Sequence, residues 1–193
     1  MNHILESRGY PRQLVLGARS VCIAPLGAAD APALAAFVQT LSARDLSFVR
    51  RDISHPKVQA AWLQAVAEGR VLSLAAHEGE PLAGCTAIVI DPLSWSRHVG
   101  ELRVLVAPDW RGCGLGRALI QECFALALGL GLEKLMVQMT LDQSAAIAVF
   151  EELGFRAEAV LRKQLRDRDG VVHDLALFSH DIAAVQSRLM RTG

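Results

Sequence analysis

The 193-residue chain is 52% apolar and carries 20 basic against 20 acidic side chains, for a formal net charge of zero. That is enough apolar matter for one buried core, and the cancelled charge leaves no electrostatic footprint for nucleic acid or an anionic membrane. Cys22, Cys85, Cys113 and Cys123 form no C-x-x-C pair and sit mostly in apolar runs, so reduced thiols are expected in place of a disulfide framework, and no metal site is expected.

The longest uncharged apolar run, residues 123–132, is too short to cross a bilayer. Residues 1–10 carry His3, Glu6 and Arg8 where a secretory signal would be apolar. The expectation is a soluble, cytoplasmic protein with an N-terminal arm, residues 1–11, ahead of a single domain, residues 12–193.

Residues 13–16 and 19–26 are short apolar or alternating runs broken at Gly17-Ala18, which predicts an opening hairpin. Asp30 offers an N-cap and Pro32 fits the first turn of a helix on which Leu34, Phe37, Val38 and Leu41 share a face. Val58, Ala61, Trp62, Ala65 and Val66 mark a second helix that stops at Gly69. Residues 71–77 and 82–90 read as strands around a turn at 78–81, and residues 99–107 as a third, closed by Pro108. A glycine-rich loop then feeds a helix carrying Leu115, Leu119, Cys123, Leu126 and Leu130. Residues 134–140 form the next strand, and Ala146, Val149, Phe150 and Leu153 a short helix stopped by Gly154. The last segment is a hairpin turning at Asp169-Gly170. The order is β, αα, βββ, α, β, α, ββ, without repeats or low-complexity tracts. The charged connection at 42–56, with Arg44, Asp45, Arg50, Arg51 and Asp52, reads equally as a solvated loop or as a ligand-contacting one, and Trp95 as a ring that either covers a site or, the favoured reading, fills the core.

The stretch VAPDWRGCGLGRALIQECF, residues 106–124, asks for a chemical reading. A strand, a glycine turn and a helix present unpaired backbone N–H groups at the positive end of the helix dipole, which favours a bound phosphate. Glycine permits close backbone approach and positive φ, while Arg111 and Arg117 add charge. A P-loop is excluded because no Gly-Lys-Ser/Thr follows, and a dinucleotide fingerprint fails because Arg117 occupies the third glycine position. Cys113 reads as a small loop residue exposed without a nucleophilic role.

Arg111, Gly114 and Gly116 match Arg/Gln-x-x-Gly-x-Gly/Ala, and QSAAIAVFEELGF follows at residues 143–155. Together these segments resemble the pyrophosphate loop and later helix of the GNAT superfamily, the Gcn5-related N-acetyltransferases. YPRQLVL, WSRHVGELRV and RDRDGVVHDL more loosely resemble the acetyltransferase domains attached to acyl-CoA synthetase-like proteins. The resemblance implies a mixed α+β fold with a central, mostly antiparallel twisted sheet of about seven strands, flanked by about four helices and splayed at the acyl-CoA site.

It also implies acetyl-CoA as co-substrate and an amine acceptor, either a small molecule or a protein lysine. Arg111, Gly112, Cys113, Gly114, Leu115, Gly116 and Arg117 would hold the pyrophosphate. A bulge in the preceding strand would turn the N–H groups of Val104, Leu105 and Val106 toward the thioester carbonyl, where they stabilise a developing oxyanion. Glu101 is the candidate base for the protonated amine, and His98 a second candidate. Relatives place a tyrosine acid on the later helix, but Val149 and Phe150 stand there. Gln143 replaces an asparagine that contacts the pantetheine chain, and Ser144 reads as the helix N-cap. A non-catalytic acyl-CoA sensor and a small-molecule acetyltransferase remain alternatives. The final hairpin offers an edge for homodimerisation.

Overall fold

The computed structural model describes residues 2–46 and 51–183. Among them lie nine strands in one sheet and six α-helices. The mixed architecture and mostly antiparallel sheet are as expected. Two short helices, α1 (Asn2–Ser7) and α3 (Ala43–Leu46), and the division of one expected strand at Ser73 account for much of the excess over seven strands and four helices. Arg50 and residues 184–193, part of the single domain expected over residues 12–193, lie outside the described residues.

The opening hairpin is β1 (Arg12–Leu16) and β2 (Arg19–Pro25), joined through Gly17 at φ +62°. Helix α2 (Ala31–Thr40) follows, but Asp30 does not cap it with its side chain, because its carboxylate instead accepts from the Gly27 N–H at 2.7 Å. Helix α4 (Pro56–Ala67) ends where Gly69 turns left-handed at φ +77°. Then come β3 (Val71–Leu72), β4 (Leu74–His77), β5 (Leu82–Val89) and β6 (Val99–Val106). Helix α5 (Leu115–Gly129), β7 (Lys134–Thr140) and α6 (Ser144–Glu152) lead to the closing hairpin of β8 (Arg156–Arg166) and β9 (Val172–Asp181).

The strand order is β1-β2-β4-β5-β6-β7-β9-β8, with β3 pairing β5. Every neighbouring pair is antiparallel except β6 and β7. Alternation explains the pairing. In β7, Leu135, Val137 and Met139 are buried while Lys134, Met136 and Gln138 between them are less so. Helix α5 buries Leu115, Leu119, Cys123 and Leu126 completely, one stripe at helical spacing. Burial pushes the Cys85 and Cys123 thiols up to about 12, so neither ionises near neutral pH. Among the described residues, no helix is long and apolar enough to cross a membrane.

Trp95 departs from expectation. Its side chain is fully exposed, beside an equally exposed Leu93, in the loop before β6. Indole chemistry favours burial on average, but nothing local obliges this loop to fold onto the sheet.

Candidate active site

Strand β6 pairs with β5 along six consecutive positions, from Glu101 opposite Val89 to Val106 opposite Gly84. Its parallel pairing with β7 covers only Val99, Gly100 and Glu101. Beyond that point β7 follows β9, with which it pairs continuously from Lys134 to Thr140. The sheet therefore opens after Glu101, leaving one side of residues 102–106 without a strand partner.

The expected bulge is missing, since the β5–β6 register runs without a shift. The opening comes from β7 leaving, so β6 need not deform. The Ala107 N–H donates to the Ala83 carbonyl at 2.8 Å. Antiparallel alternation then turns the Leu105 N–H toward β5 and those of Val104 and Val106 toward the open edge. Leu105 thus differs from its two neighbours, because its N–H is committed to the sheet.

The loop after β6 is braced from below. Trp110 is buried, its Nε1–H donates to Glu78 Oε2 at 3.1 Å, and the Arg19 guanidinium lies 3.4 Å from the centre of its ring. Gly112 and Gly114 are left-handed, at φ +73° and +91°, and Gly114 is the N-cap residue of α5. Among the described residues none accepts from the N–H groups of Gly112, Cys113, Gly114, Leu115, Gly116 or Arg117. These donors converge at the positive end of a 15-residue helix. Cys113 is half-buried, not exposed, and its thiol donates to the Trp110 carbonyl at 2.9 Å.

Both loop arginines hold carboxylates. Arg111 pairs with Asp45 of α3 at 2.9 Å and reaches the Val106 carbonyl at 3.4 Å, while Arg117 pairs with Glu152 of α6. Burial raises the Asp45 carboxyl, but hydrogen bonds from Ser42 and Arg111 outweigh it and hold the pKa below the usual carboxylate range.

Glu101 sits at the fork, the last residue of β6 paired on both sides. Its Oε1 accepts from Arg103 Nε at 3.0 Å, which fixes the carboxylate's orientation. His98 is exposed just before β6, at the end of that strand away from the glycine loop. Its carbonyl accepts from the N–H groups of Glu133 and Lys134. Phe150 is buried edge-on against Phe155, with 4.9 Å between ring centres. Gln143, and not Ser144, is the N-cap residue of α6, and no side chain caps that helix. The Gln143 Oε1 is buried with no hydrogen-bond partner among the described residues.

Residues 36–155 match the model of the acetyltransferase (GNAT) family. The chain belongs to this family.

Of solved structures, a GNAT-family acetyltransferase from Streptococcus pneumoniae superposes with a TM-score of 0.72 at 22% identity, over 83% of this chain and 99% of that one. A phosphinothricin acetyltransferase from Sinorhizobium meliloti in complex with acetyl-CoA gives 0.71 at 17% identity, over 83% and 88%. By sequence, a mycothiol acetyltransferase from Geodermatophilus obscurus is 41% identical over 63 residues, 32% of this chain and 20% of that protein. The match thus spans about a fifth of that curated relative's length.

This member of the family also has features that no motif announced. A cavity of about 210 Å³ lies between α4 and the face of β5 and β6, with Arg51, Trp62, Arg70, Arg103 and Leu105 on its walls. Arg103 and Leu105 belong to the stretch of β6 that β7 has left, and Glu101 projects to the same face by the strand's two-residue period. Arg168, at the turn of the closing hairpin, pairs with Asp52 at 2.7 Å and so ties that hairpin to the connection before α4. Only tertiary folding joins residues 116 positions apart.

Proposed function

We propose that this chain transfers an acetyl group from acetyl-CoA to a primary amine by direct attack. The observation that carries the reading is the parting of β6 from β7 after Glu101, directly before a left-handed glycine loop at a helix N-terminus. The acetyl-CoA complex of the Sinorhizobium relative supports the same co-substrate here.

Acetyl-CoA, when bound, supplies an activated acetyl thioester. The N–H groups of residues 112–117 suit its pyrophosphate, as a helix N-terminus favours an anion without needing a side chain. The Gln143 Oε1, an acceptor otherwise left unsatisfied in a buried place, suits an amide N–H of the pantetheine chain. The N–H groups of Val104 and Val106 face the open edge, where donors stabilise negative charge on a carbonyl oxygen.

Glu101 takes the proton of the incoming ammonium. It stands three residues, about 10 Å along the strand, before Val104, so the proton reaches it through a short chain of waters and not by direct contact. Phe150 has no proton to give, so the place where relatives carry a tyrosine supplies no acid here. The thiol leaving group, with an ordinary pKa near ~8.5, tolerates that loss. His98, at the far end of β6, takes no part in this reading.

Glu101→Gln tests the assignment. Turnover measured by free-thiol release should fall ~10²- to 10⁴-fold, with acetyl-CoA affinity by calorimetry unchanged. Full activity in the variant removes Glu101 as the base. The buried Phe150 favours one other reading, a non-catalytic acyl-CoA sensor, which predicts acetyl-CoA binding with no turnover of any amine.

A further inference from the structure

We infer that the acceptor is a compact apolar amine that also carries a carboxylate, and that Arg51 recognises the carboxylate at the mouth of the cavity under α4. The inference rests on the acetyl-transfer reading and names the substrate class for it.

The cavity has an unusual polarity. Its walls are apolar over Ile53, Val58, Ala61, Trp62, Val71 and Leu105, and among the described residues its charged lining consists of Arg51, Arg70 and Arg103, with Glu101 behind Arg103 and no Asp or Glu on the wall itself. Two of the three guanidinium groups are already neutralised, since Arg70 pairs with Glu68 and Arg103 with Glu101. Arg51 is exposed, and among the described residues no carboxylate lies within ion-pair distance of it. Its neighbour Asp52 is occupied by Arg168 from the closing hairpin, so that carboxylate is engaged elsewhere. The result is an apolar slot with one uncompensated positive charge at its entrance.

That arrangement discriminates. A polycationic acceptor, such as a polyamine or a lysine-rich peptide, would bring charge to a wall that offers arginines and no lining carboxylate. A zwitterion reverses the sign at one end: its carboxylate meets a guanidinium suited to paired hydrogen bonds, while its amine extends toward β6. The body between them desolvates against Leu105 and the Trp62 ring, which is pinned because its Nε1–H donates to Ser73 Oγ at 2.9 Å. At about 210 Å³ the cavity lies below the roughly 300–1,000 Å³ of clefts for drug-sized ligands, so its occupant is small.

Chemical-shift titration of the full chain tests this without turnover. The probes are phenylalanine and leucine, their methyl esters, and the desamino acids with their esters. We expect each acid to bind about tenfold or more tighter than its ester, with the Trp62 indole resonance shifting. Arg51→Gln should abolish that preference and Arg51→Lys should keep part of it, both with otherwise unchanged spectra. Equal affinities for acids and esters, or a preference that survives in Arg51→Gln, overturn the inference. So does faster acetylation of a lysine-rich peptide than of any probe acid. Calorimetry with acetyl-CoA is read separately: its failure sinks the acetyl-transfer reading, while the shift titration still decides whether the cavity selects carboxylates.

Discussion

Gly112 and Gly114 have the backbone conformation that L side chains rarely adopt, and at Gly114 the nearest atom to an added Cβ is Leu16 Cδ2 at 3.8 Å. The space is there but the dihedral is not. Gly114→Ala should therefore cost about 1–2 kcal/mol through the left-handed φ alone, read by denaturant unfolding. Gly116 differs, because it is helical and its added Cβ would rest 3.6 Å from Val106 Cγ2, an ordinary contact. Gly116→Ala should leave stability unchanged or raise it by up to about 1 kcal/mol. Two glycines two residues apart thus respond with opposite sign. A pattern of letters marks them as equivalent, but the dihedrals separate them.

At the scale of elements, the N-terminal arm is stapled to α5. Glu122 of α5 accepts from the Tyr10 hydroxyl at 2.6 Å and from Arg8 and Arg12 at 3.1 and 2.9 Å, while α1 lays Ile4 beside Gly129. Burial pushes the Glu122 carboxyl up, but the hydrogen bonds from Tyr10 and Arg8 and the nearby guanidinium charges outweigh it, so its pKa lies below the usual range. A depressed carboxyl contributes stability above its unfolded pKa, near ~4.3, and loses it as pH falls through the lower folded value. Glu122→Gln should accordingly lower the melting temperature at neutral pH and flatten its decline below about pH 4.3. Residues 1–11, set apart in the sequence as an arm ahead of the domain, are thus packed against its longest helix. The staple consists of polar groups whose partner lies over 100 positions away.

Across the whole molecule, the site exists because β6 answers to two neighbours with different allegiances. β5 keeps β6 along its length, while β7 leaves with β9. Gly84 lies where this joint meets α5: an added Cβ would stand 2.8 Å from the Leu105 carbonyl and 3.1 Å from Leu119 Cδ1. Backbone cannot give way as a flexible side-chain tip does. Gly84→Ala should cost about 1–3 kcal/mol by overpacking and, by displacing β6, weaken acetyl-CoA binding in calorimetry. A variant as stable and as tight as the parent would show that the strand position matters less than the opening of the sheet.

The sequence by itself determined most of the elements and the glycine loop. Residues 106–124 carry strand, left-handed turn and helix start within one short stretch, and the signals for each are local: alternation, glycine, helical spacing. The tertiary structure alone decided where the sheet parts, which edge donors stay open, and which charges face the cavity under α4. Arg51, Arg70 and Arg103 are scattered along the chain and converge only when α4 settles over β5 and β6. The same limit explains Trp95, whose apolar ring speaks for burial although its loop never meets the core. Periodicity records what each residue's own element requires. Strand partnership and charge placement depend on distant segments, and the energy that selects them is spread over contacts no short window contains.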